Sequence, residues 1–155
     1  FGIDPILLTI EITERAVLEA SALVLHNLEQ LRQRGIRIAL DDFGTGYSSL
    51  TLLSELRPDE LKIDRSFVAA MGRDPYADQI VQVITNLARS LHIDLVAEGV
   101  EDQTTWDRLE RLRVDRFQGY LISPPCLWSE ISAVAAVAMA GSGGSAAAAE
   151  PPAPG

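Results

Sequence analysis

Short apolar runs alternate with amphipathic segments along most of the chain. The apolar runs predict five β-strands, at residues 6–12, 36–40, 61–63, 93–97 and 116–122. The segments between them place apolar residues three and four positions apart, which is the spacing of one helix face. Strands that alternate with helices are typical of a parallel sheet with right-handed crossovers. The pattern therefore predicts an α/β fold.

Local signals place the ends of two predicted helices. The first spans residues 17–34 and ends before Gly35, because glycine readily adopts the left-handed conformation that closes a helix. A second, long helix begins after Asp74, with Pro75 in its first turn. The apolar stripe of this long helix is expected to consist of Ile80, Val83, Ile84, Leu87 and Leu91.

The last part of the chain carries a weaker signal. Residues 131–140 form a possible terminal helix, but the segment is too short and too rich in alanine to span a bilayer. Residues 141–155 are rich in Gly, Ala and Pro and predict a disordered tail. We assign no function to this tail.

Composition limits the classes of function. The 155 residues suffice for one domain with a hydrophobic core, and the formal charge of −9 argues against binding to a nucleic-acid polymer. A small phosphorylated ligand is compatible with that charge if a metal ion mediates. The single cysteine, Cys126, excludes a disulfide within the chain, which fits a reducing, cytoplasmic location. An upstream segment could still anchor the intact protein in a membrane.

Two adjacent carboxylates follow the second predicted strand. Asp41 and Asp42 end the apolar run and lead into a loop that contains Gly44 and Gly46. Neighbouring acids repel each other unless a cation or a proton compensates them, and Mg²⁺ is a cation that prefers oxygen ligands. Asp and Gly are also common in turns for conformational reasons alone. This segment by itself leaves both a metal or phosphate site and an ordinary acidic turn open.

Polar side chains fall at or near the carboxyl ends of all five predicted strands, and in a βα-barrel these ends meet at one rim. These residues are Glu11, Asp41, Asp42, Lys62, Glu98 and Gln118. Solvation explains any one of them, but six such residues on five strands indicate a cluster. Lys62 is the only lysine in a chain with 12 arginines, so a lysine at this position indicates a role that arginine cannot fill. A lysine ammonium is a compact charge that can polarise water or neutralise a phosphate oxygen.

Five motifs resemble, in order and spacing, the signatures of EAL domains, which are bacterial cyclic di-GMP phosphodiesterases. The motifs are Glu11-Ile12-Thr13-Glu14, residues 41–49 from Asp41 to Ser49, residues 59–64, residues 97–101 and Gln118-Gly119-Tyr120. The resemblance covers about residues 7–125. It implies a TIM-like (β/α)₈ barrel of about 250 residues. Residues 1–130 would form the C-terminal five βα units of that barrel.

The same resemblance implies an activity and a metal site. The activity is hydrolysis of cyclic di-GMP to the linear dinucleotide pGpG by a two-metal mechanism with Mg²⁺ or Mn²⁺. Glu11 and Asp41 would be metal ligands, and Asp42 would serve the second metal. Glu14 would brace the loop after the second strand.

The resemblance also implies roles for the remaining rim residues and indicates which molecules and domains the protein would bind. Lys62 would contact the metal-bound water, and Glu98 would act as the base or hold water on the second metal. Glu101 and Gln118 would support substrate or metal binding. Cyclic di-GMP, a homodimer contact through the loop after Asp42, and an upstream sensor or diguanylate cyclase domain are the expected partners.

The resemblance is incomplete at the start of the chain. The Glu-Ala-Leu motif that names the family, and an Asn ligand after the next strand, would lie before Phe1. We therefore expect the chain alone to be inactive, and to be unstable, oligomeric or dependent on a missing partner.

Two other functions stay open. One is a non-catalytic cyclic di-GMP-binding or protein-interaction module, and the other is a different metal-dependent barrel enzyme of the enolase kind.

Overall fold

The structure, a computed structural model, describes residues 2–18, 22–45 and 50–132 of the chain. Within these residues, five strands form one sheet in the order β1-β2-β3-β4-β5. They are β1 (Thr9–Thr13), β2 (Arg37–Phe43), β3 (Glu60–Ile63), β4 (Asp94–Glu98) and β5 (Arg116–Gln118). Each strand pairs in parallel with its neighbour. The α/β class with a parallel sheet, predicted from the hydrophobic pattern, is confirmed.

Helices connect the strands. In the described ranges they are α1 (Glu14–Leu18), α2 (Ala22–Gln33), α3 (Leu50–Leu56), α4 (Arg65–Ala70), α5 (Pro75–Leu91) and α6 (Gln103–Leu112). The predicted start of α5 is confirmed, because the Asp74 side chain accepts a hydrogen bond from the Tyr76 N–H at 2.9 Å. Among these helices, none combines the length and the apolar character needed to cross a membrane.

Several predicted boundaries differ from the structure. Before β1, Pro5–Leu7 form a 3₁₀ helix, because Pro5 lacks a backbone donor and the Asp4 carboxylate accepts the Ile6 N–H at 3.1 Å. The strand predicted at residues 116–122 ends at Gln118. The helix predicted at residues 17–34 is recorded as α1 and α2, with residues between them outside the described ranges. Most of the predicted terminal helix at 131–140 and the whole predicted tail at 141–155 also lie outside them.

The sheet has one apolar face and one polar face, because successive side chains of a strand point to opposite sides. The apolar face carries the most deeply buried side chains of the protein, Ile38, Leu40, Leu61, Ile63 and Leu95. These side chains pack with apolar residues of the helices in one hydrophobic core. The opposite face carries charged residues, which form the candidate site described below.

The predicted apolar stripe of α5 is wrong in part. The buried residues of α5 are Ala77, Val81, Ile84, Thr85 and Ala88. By contrast, two members of the predicted stripe, Val83 and Leu91, are 65% and 46% exposed. Small residues such as Ala77 and Ala88 let the helix approach the sheet closely, so the buried face is centred on them rather than on the larger residues beside them.

Contacts divide the chain after Leu121 into two compact units. In the described part of the second unit, Trp128–Glu130 form a 3₁₀ helix, and the Leu127 N–H donates to Glu130 Oε2 at 2.9 Å. The exposed Cys126 lies in this unit. The expectation that one domain extends to residue 130 stays a prediction.

Asp102 caps α6. Its Oδ1 accepts the Thr105 N–H at 2.8 Å and its Oδ2 accepts the Thr105 hydroxyl at 2.9 Å. We expect Asp102→Ala to lower the free energy of unfolding by about 1 kcal/mol at neutral pH, because the substitution leaves N–H groups of the first turn unsatisfied. Urea denaturation followed by tryptophan fluorescence measures the change. An Ala variant as stable as wild type would contradict this role.

Asp102→Asn is the matched control for the charge of the cap. The hydrogen bonds from the Thr105 N–H and hydroxyl lower the pKa of Asp102 below its usual 3.8. A carboxylate with a depressed pKa contributes stability above its unfolded-state pKa and loses it as the pH falls through its folded-state pKa. We therefore expect the stability difference between wild type and Asp102→Asn to shrink as the pH falls below 3.8.

Candidate active site at the carboxyl ends of the strands

One ammonium group lies among carboxylates from three other strands. Lys62 Nζ on β3 is 2.8 Å from Glu11 Oε2 on β1, 3.5 Å from Asp41 Oδ1 on β2 and 2.6 Å from Glu98 Oε1 on β4. Lys62 is only 3% exposed, but its partner Glu11 is half-exposed, so solvent screens the pairs with Asp41 and Glu98 less than the pair with Glu11. We refer to Glu11, Asp41, Lys62 and Glu98 as the lysine cluster.

The pairing register of the strands brings these four residues together. Glu11 pairs with Ala39, two residues before Asp41, and Lys62 pairs with Val96, two residues before Glu98. Residues two apart on a strand share a face, so the cluster occupies the polar face near the carboxyl ends. A register slip of one residue would move a whole strand's contribution to the opposite face.

A β-bulge in β2 gives the adjacent residues Asp41 and Asp42 different surroundings. Leu40 pairs with Leu61 and Phe43 pairs with Ile63, so β2 has one residue more than β3 between these pairs. Asp42 has a φ of 56°, in the left-handed region, and its N–H donates to Asp41 Oδ1 at 3.0 Å. Asp41 therefore contacts Lys62, while Asp42 lies beside the cluster.

The carboxylates determine the charge state of Lys62. Burial acts to lower the pKa of Lys62, but hydrogen bonds to Glu11 and Glu98, together with the charges of Glu98 and Asp41, raise it above the ordinary 10.5. Lys62 is therefore an ammonium at neutral pH. It cannot act as a base there, and its function must come from its positive charge.

Asp42, unlike Lys62, is surrounded by charges of its own sign. Burial raises the pKa of Asp42 above the ordinary 3.8, and the neighbouring charges of Asp41 and Asp64 raise it further, while Lys62 opposes them. A divalent cation beside Asp42 would relieve this repulsion.

The structure places three other predicted site residues near the same ends of the strands. Glu14 begins α1 directly after β1 and is buried. Glu101 is exposed in the segment after β4, and Gln118 is exposed at the end of β5. Within the described residues, no side-chain hydrogen bond joins Glu101 or Gln118 to the lysine cluster. Their predicted support of substrate or metal binding stays a prediction.

The oxygen atoms of the lysine cluster suit a hard divalent cation. Lys62 uses one oxygen of each carboxylate, and the second oxygens, Glu11 Oε1, Asp41 Oδ2 and Glu98 Oε2, have no partner among the described residues. In residues 2–18, 22–45 and 50–132, however, no three acidic, histidine or cysteine side chains are arranged so that they could hold a metal ion by themselves. The assignment of Glu11, Asp41 and Asp42 as ligands therefore stays a prediction.

A second charged layer lies on the same face, at the amino ends of the strands, and sequence reasoning missed it. Arg37 Nη2 on β2 is 2.5 Å from Asp94 Oδ2 on β4, and Arg116 Nη2 on β5 is 2.9 Å from the same oxygen. Arg116 also pairs with Glu60 on β3. The signal was available, because Glu60 and Asp94 precede Lys62 and Glu98 by two and four residues and so share their face.

The start of the loop after Asp42 packs on two helices. A Cβ atom at Gly44 would lie 3.1 Å from Phe67 of α4 and 3.3 Å from Ile84 of α5. Residues 46–49 of the loop lie outside the described ranges. The predicted homodimer contact through this loop stays a prediction.

Comparison with known proteins agrees with this architecture. A family model described as the EAL domain matches residues 1–125. The chain belongs to the EAL domain family. The resemblance inferred from the five sequence motifs is thereby confirmed.

Two relatives are named as probable cyclic di-GMP phosphodiesterases. The chain is 40% identical over 124 residues to the probable cyclic di-GMP phosphodiesterase PdeG of Escherichia coli K12, which covers 80% of this chain and 24% of PdeG. It is 44% identical over 119 residues to the probable cyclic di-GMP phosphodiesterase PdeD of the same organism, covering 76% of this chain and 22% of PdeD. The chain thus spans about a quarter of the length of these relatives.

Solved EAL structures share the fold. The PaMucR phosphodiesterase in complex with c-di-GMP superposes with a TM-score of 0.79 at 39% identity, over 84% of this chain and 53% of that one. The Klebsiella pneumoniae BlrP1 complex with manganese and cy-diGMP superposes with a TM-score of 0.75 at 37% identity, over 81% of this chain and 32% of that one. These likenesses confirm a TIM-barrel-like α/β architecture for this part of the EAL domain.

Gly119 offers a test of how this EAL domain holds the ends of β4 and β5 together. The Val100 N–H donates to the Gln118 carbonyl at 3.0 Å, and the Leu121 N–H donates to the Val100 carbonyl at 3.0 Å. A Cβ atom at Gly119 would lie 2.2 Å from the Val100 carbonyl oxygen, too close for the backbone to tolerate. We expect Gly119→Ala to lower the free energy of unfolding by about 3 kcal/mol, as an overpacked site does.

Gly2→Ala is the control for this substitution. A Cβ atom at Gly2 meets nothing within 4 Å, although its φ of 67° is in the left-handed region. The control therefore introduces backbone strain without a clash and should cost about 1 kcal/mol. Chemical denaturation compares the two variants. An equal or smaller loss for Gly119→Ala would contradict the close packing of β5 against Val100.

Proposed function

We propose that this chain supplies the carboxyl-terminal part of the active site of a cyclic di-GMP phosphodiesterase, which hydrolyses cyclic di-GMP to linear pGpG with Mg²⁺ or Mn²⁺. The single observation that supports the proposal most is the lysine cluster, in which Lys62 lies among Glu11, Asp41 and Glu98. Relatives named as cyclic di-GMP phosphodiesterases give the cluster its substrate class. Because the chain spans only part of these relatives, the activity is proposed for the full-length protein.

The carboxylates of the rim would hold the cations. Glu11 and Asp41 would serve one cation and Asp42 the second, and other ligands would come from parts of the protein outside this chain. When bound, such cations supply Lewis-acid stabilisation of the negative charge that develops on the phosphate. The raised pKa of Asp42 and the second oxygens of Glu11 and Asp41 support this assignment.

Lys62 and Glu98 have separate tasks in the proposed reaction. Lys62 keeps Glu11, Asp41 and Glu98 in fixed orientations and offers positive charge to a phosphate oxygen. Glu98 uses Oε1 to accept the Lys62 hydrogen bond at 2.6 Å, so Oε2 is available to take a proton from the attacking water. The water oxygen bonds to phosphorus as the bond from phosphorus to the 3′ oxygen breaks, and the leaving 3′ oxygen takes up a proton from solvent to become the 3′ hydroxyl. Glu14 would brace the loop, and Glu101 and Gln118 would support the substrate.

A module that binds cyclic di-GMP without cleaving it is the second candidate. The observation that favours it is that the described residues do not by themselves present three converging metal ligands. The two candidates differ in one measurable respect. A binding module retains the nucleotide unchanged in the presence of Mg²⁺ or Mn²⁺, whereas the enzyme releases the linear dinucleotide.

Asp41→Asn tests the role of the carboxylate in the full-length protein. The substitution keeps the shape of the side chain but removes its charge, so we expect a loss of hydrolysis of at least about a hundredfold, since a metal supplies several kcal/mol of charge stabilisation. Chromatography of the reaction products measures the rate, and circular dichroism checks the fold. Asp107→Asn on α6, an exposed carboxylate that accepts a hydrogen bond from Gln103, is the control. Unchanged turnover in Asp41→Asn would remove Asp41 from the site.

Lys62→Met and Lys62→Arg test whether a compact charge is required. Met removes the charge, and Arg keeps it in a larger planar group that does not fit the same three contacts. We expect both to lower kcat, and Met also to lower the free energy of unfolding by about 3 kcal/mol, because three carboxylates lose their partner. Steady-state kinetics and urea denaturation separate the two effects. Full activity of the folded Met variant would show that Lys62 is only a structural residue.

A further inference from the structure

Arg65 is a second cation beside the lysine cluster, and the proposed reaction does not use it. It is the first residue of α4 and follows Lys62 by three positions, directly after β3. Its side chain is exposed, in contrast to the buried Lys62. The preceding carboxylate, Asp64, is occupied in accepting the Ser66 N–H at 3.0 Å. Arg65 thus lies at the carboxyl end of β3 without a local acidic partner.

The stem of Arg65 packs over Gly99, the residue that follows Glu98. A Cβ atom at Gly99 would lie 2.7 Å from Cβ and 3.9 Å from Cγ of Arg65. Gly99 also has a φ of 68°, which disfavours any other residue there. The absence of a side chain at position 99 therefore makes room for Arg65 across the end of β4, the strand that carries Glu98.

The guanidinium of Arg65 has no hydrogen bond or ion pair with any residue in the described ranges. Three other arginines, by contrast, have partners within the protein. Arg32 donates to the Leu56 carbonyl, and Arg37 and Arg116 share Asp94. Carboxylates lie on the neighbouring strands, but none of them pairs with Arg65. The N–H donors of its guanidinium are therefore available to a ligand or to a residue outside the described ranges.

The charge of the rim indicates which kind of ligand Arg65 would bind. The carboxylates of Glu11, Asp41 and Glu98 outnumber the single ammonium of Lys62, and Asp42 adds further negative charge. An anionic dinucleotide that approaches this rim meets repulsion unless cations offset it. Arginine suits phosphate, because its planar fork can donate two parallel hydrogen bonds to two phosphate oxygens.

We propose that Arg65 binds a phosphodiester group of the substrate through its nonbridging oxygens and so positions the dinucleotide on the rim. The inference rests on the proposed function and deepens it, since it assigns a substrate contact to a residue outside the lysine cluster. Gly99 is the residue that makes this position possible. Arg65 contributes to binding rather than to bond cleavage.

Equilibrium dialysis of cyclic di-GMP against the full-length protein in EDTA tests the contact without turnover. A charge-assisted hydrogen bond accounts for about a tenfold to hundredfold change in affinity, so we expect Arg65→Ala and Arg65→Gln to raise Kd by at least about tenfold. Arg65→Lys keeps a point charge and should raise Kd by less. Kinetics with Mg²⁺ should show the change in KM, with kcat within about twofold of wild type.

Arg34→Ala is the matched control, because it removes the same charge from an exposed position in the turn after α2. It should leave both Kd and KM unchanged. Wild-type affinity in Arg65→Ala, or equal affinities in Arg65→Gln and Arg65→Lys, would overturn the proposed phosphate contact while the proposed function stands. If wild type binds no cyclic di-GMP in EDTA and also neither binds nor cleaves it with Mg²⁺ or Mn²⁺, the proposed function fails, and this inference fails with it.

Discussion

The ion-pair cluster around Lys62 is the interaction on which the rest of the site depends. A buried ammonium is costly unless carboxylates compensate it, and here three carboxylates from β1, β2 and β4 do so. This compensation requires that four strands keep one register, because a slip on any of them would take a charge to the apolar face. The same constraint fixes the position of the carboxylates that the proposed function assigns to cations. Fold and site are therefore specified together.

Two charged layers lie on one face of the sheet and differ in their balance of charge. At the amino ends of the strands, Arg37 and Arg116 face Glu60 and Asp94, so positive and negative groups balance. Near the carboxyl ends, the carboxylates exceed Lys62 in number, and the excess negative charge suits divalent cations. The balanced layer links β2, β3, β4 and β5. The unbalanced layer, with the exposed Arg65 beside it, is the one to which we assign the proposed ligand.

The sequence was sufficient to predict what depends on periodicity and local chemistry. Alternation within strands brought Glu11, Asp41, Lys62 and Glu98 to one rim, and Asp74 with Pro75 marked the start of α5. The sequence was not sufficient where tertiary packing determines the local conformation or the buried face of an element. The bulge at Asp41 and Asp42 depends on pairing with β3, and the buried face of α5 depends on how closely Ala77 and Ala88 approach the sheet. The position of Arg65 depends on Gly99, which lies far from it in the chain.

Product analysis of the full-length protein tests the central claim most directly. The protein is incubated with cyclic di-GMP and either Mg²⁺ or Mn²⁺, and the nucleotides are separated by liquid chromatography. If the lysine cluster belongs to a phosphodiesterase, linear pGpG accumulates with time and its formation stops when EDTA removes the metal. Retention of bound, intact cyclic di-GMP in both metals would contradict the claim and identify a binding module instead.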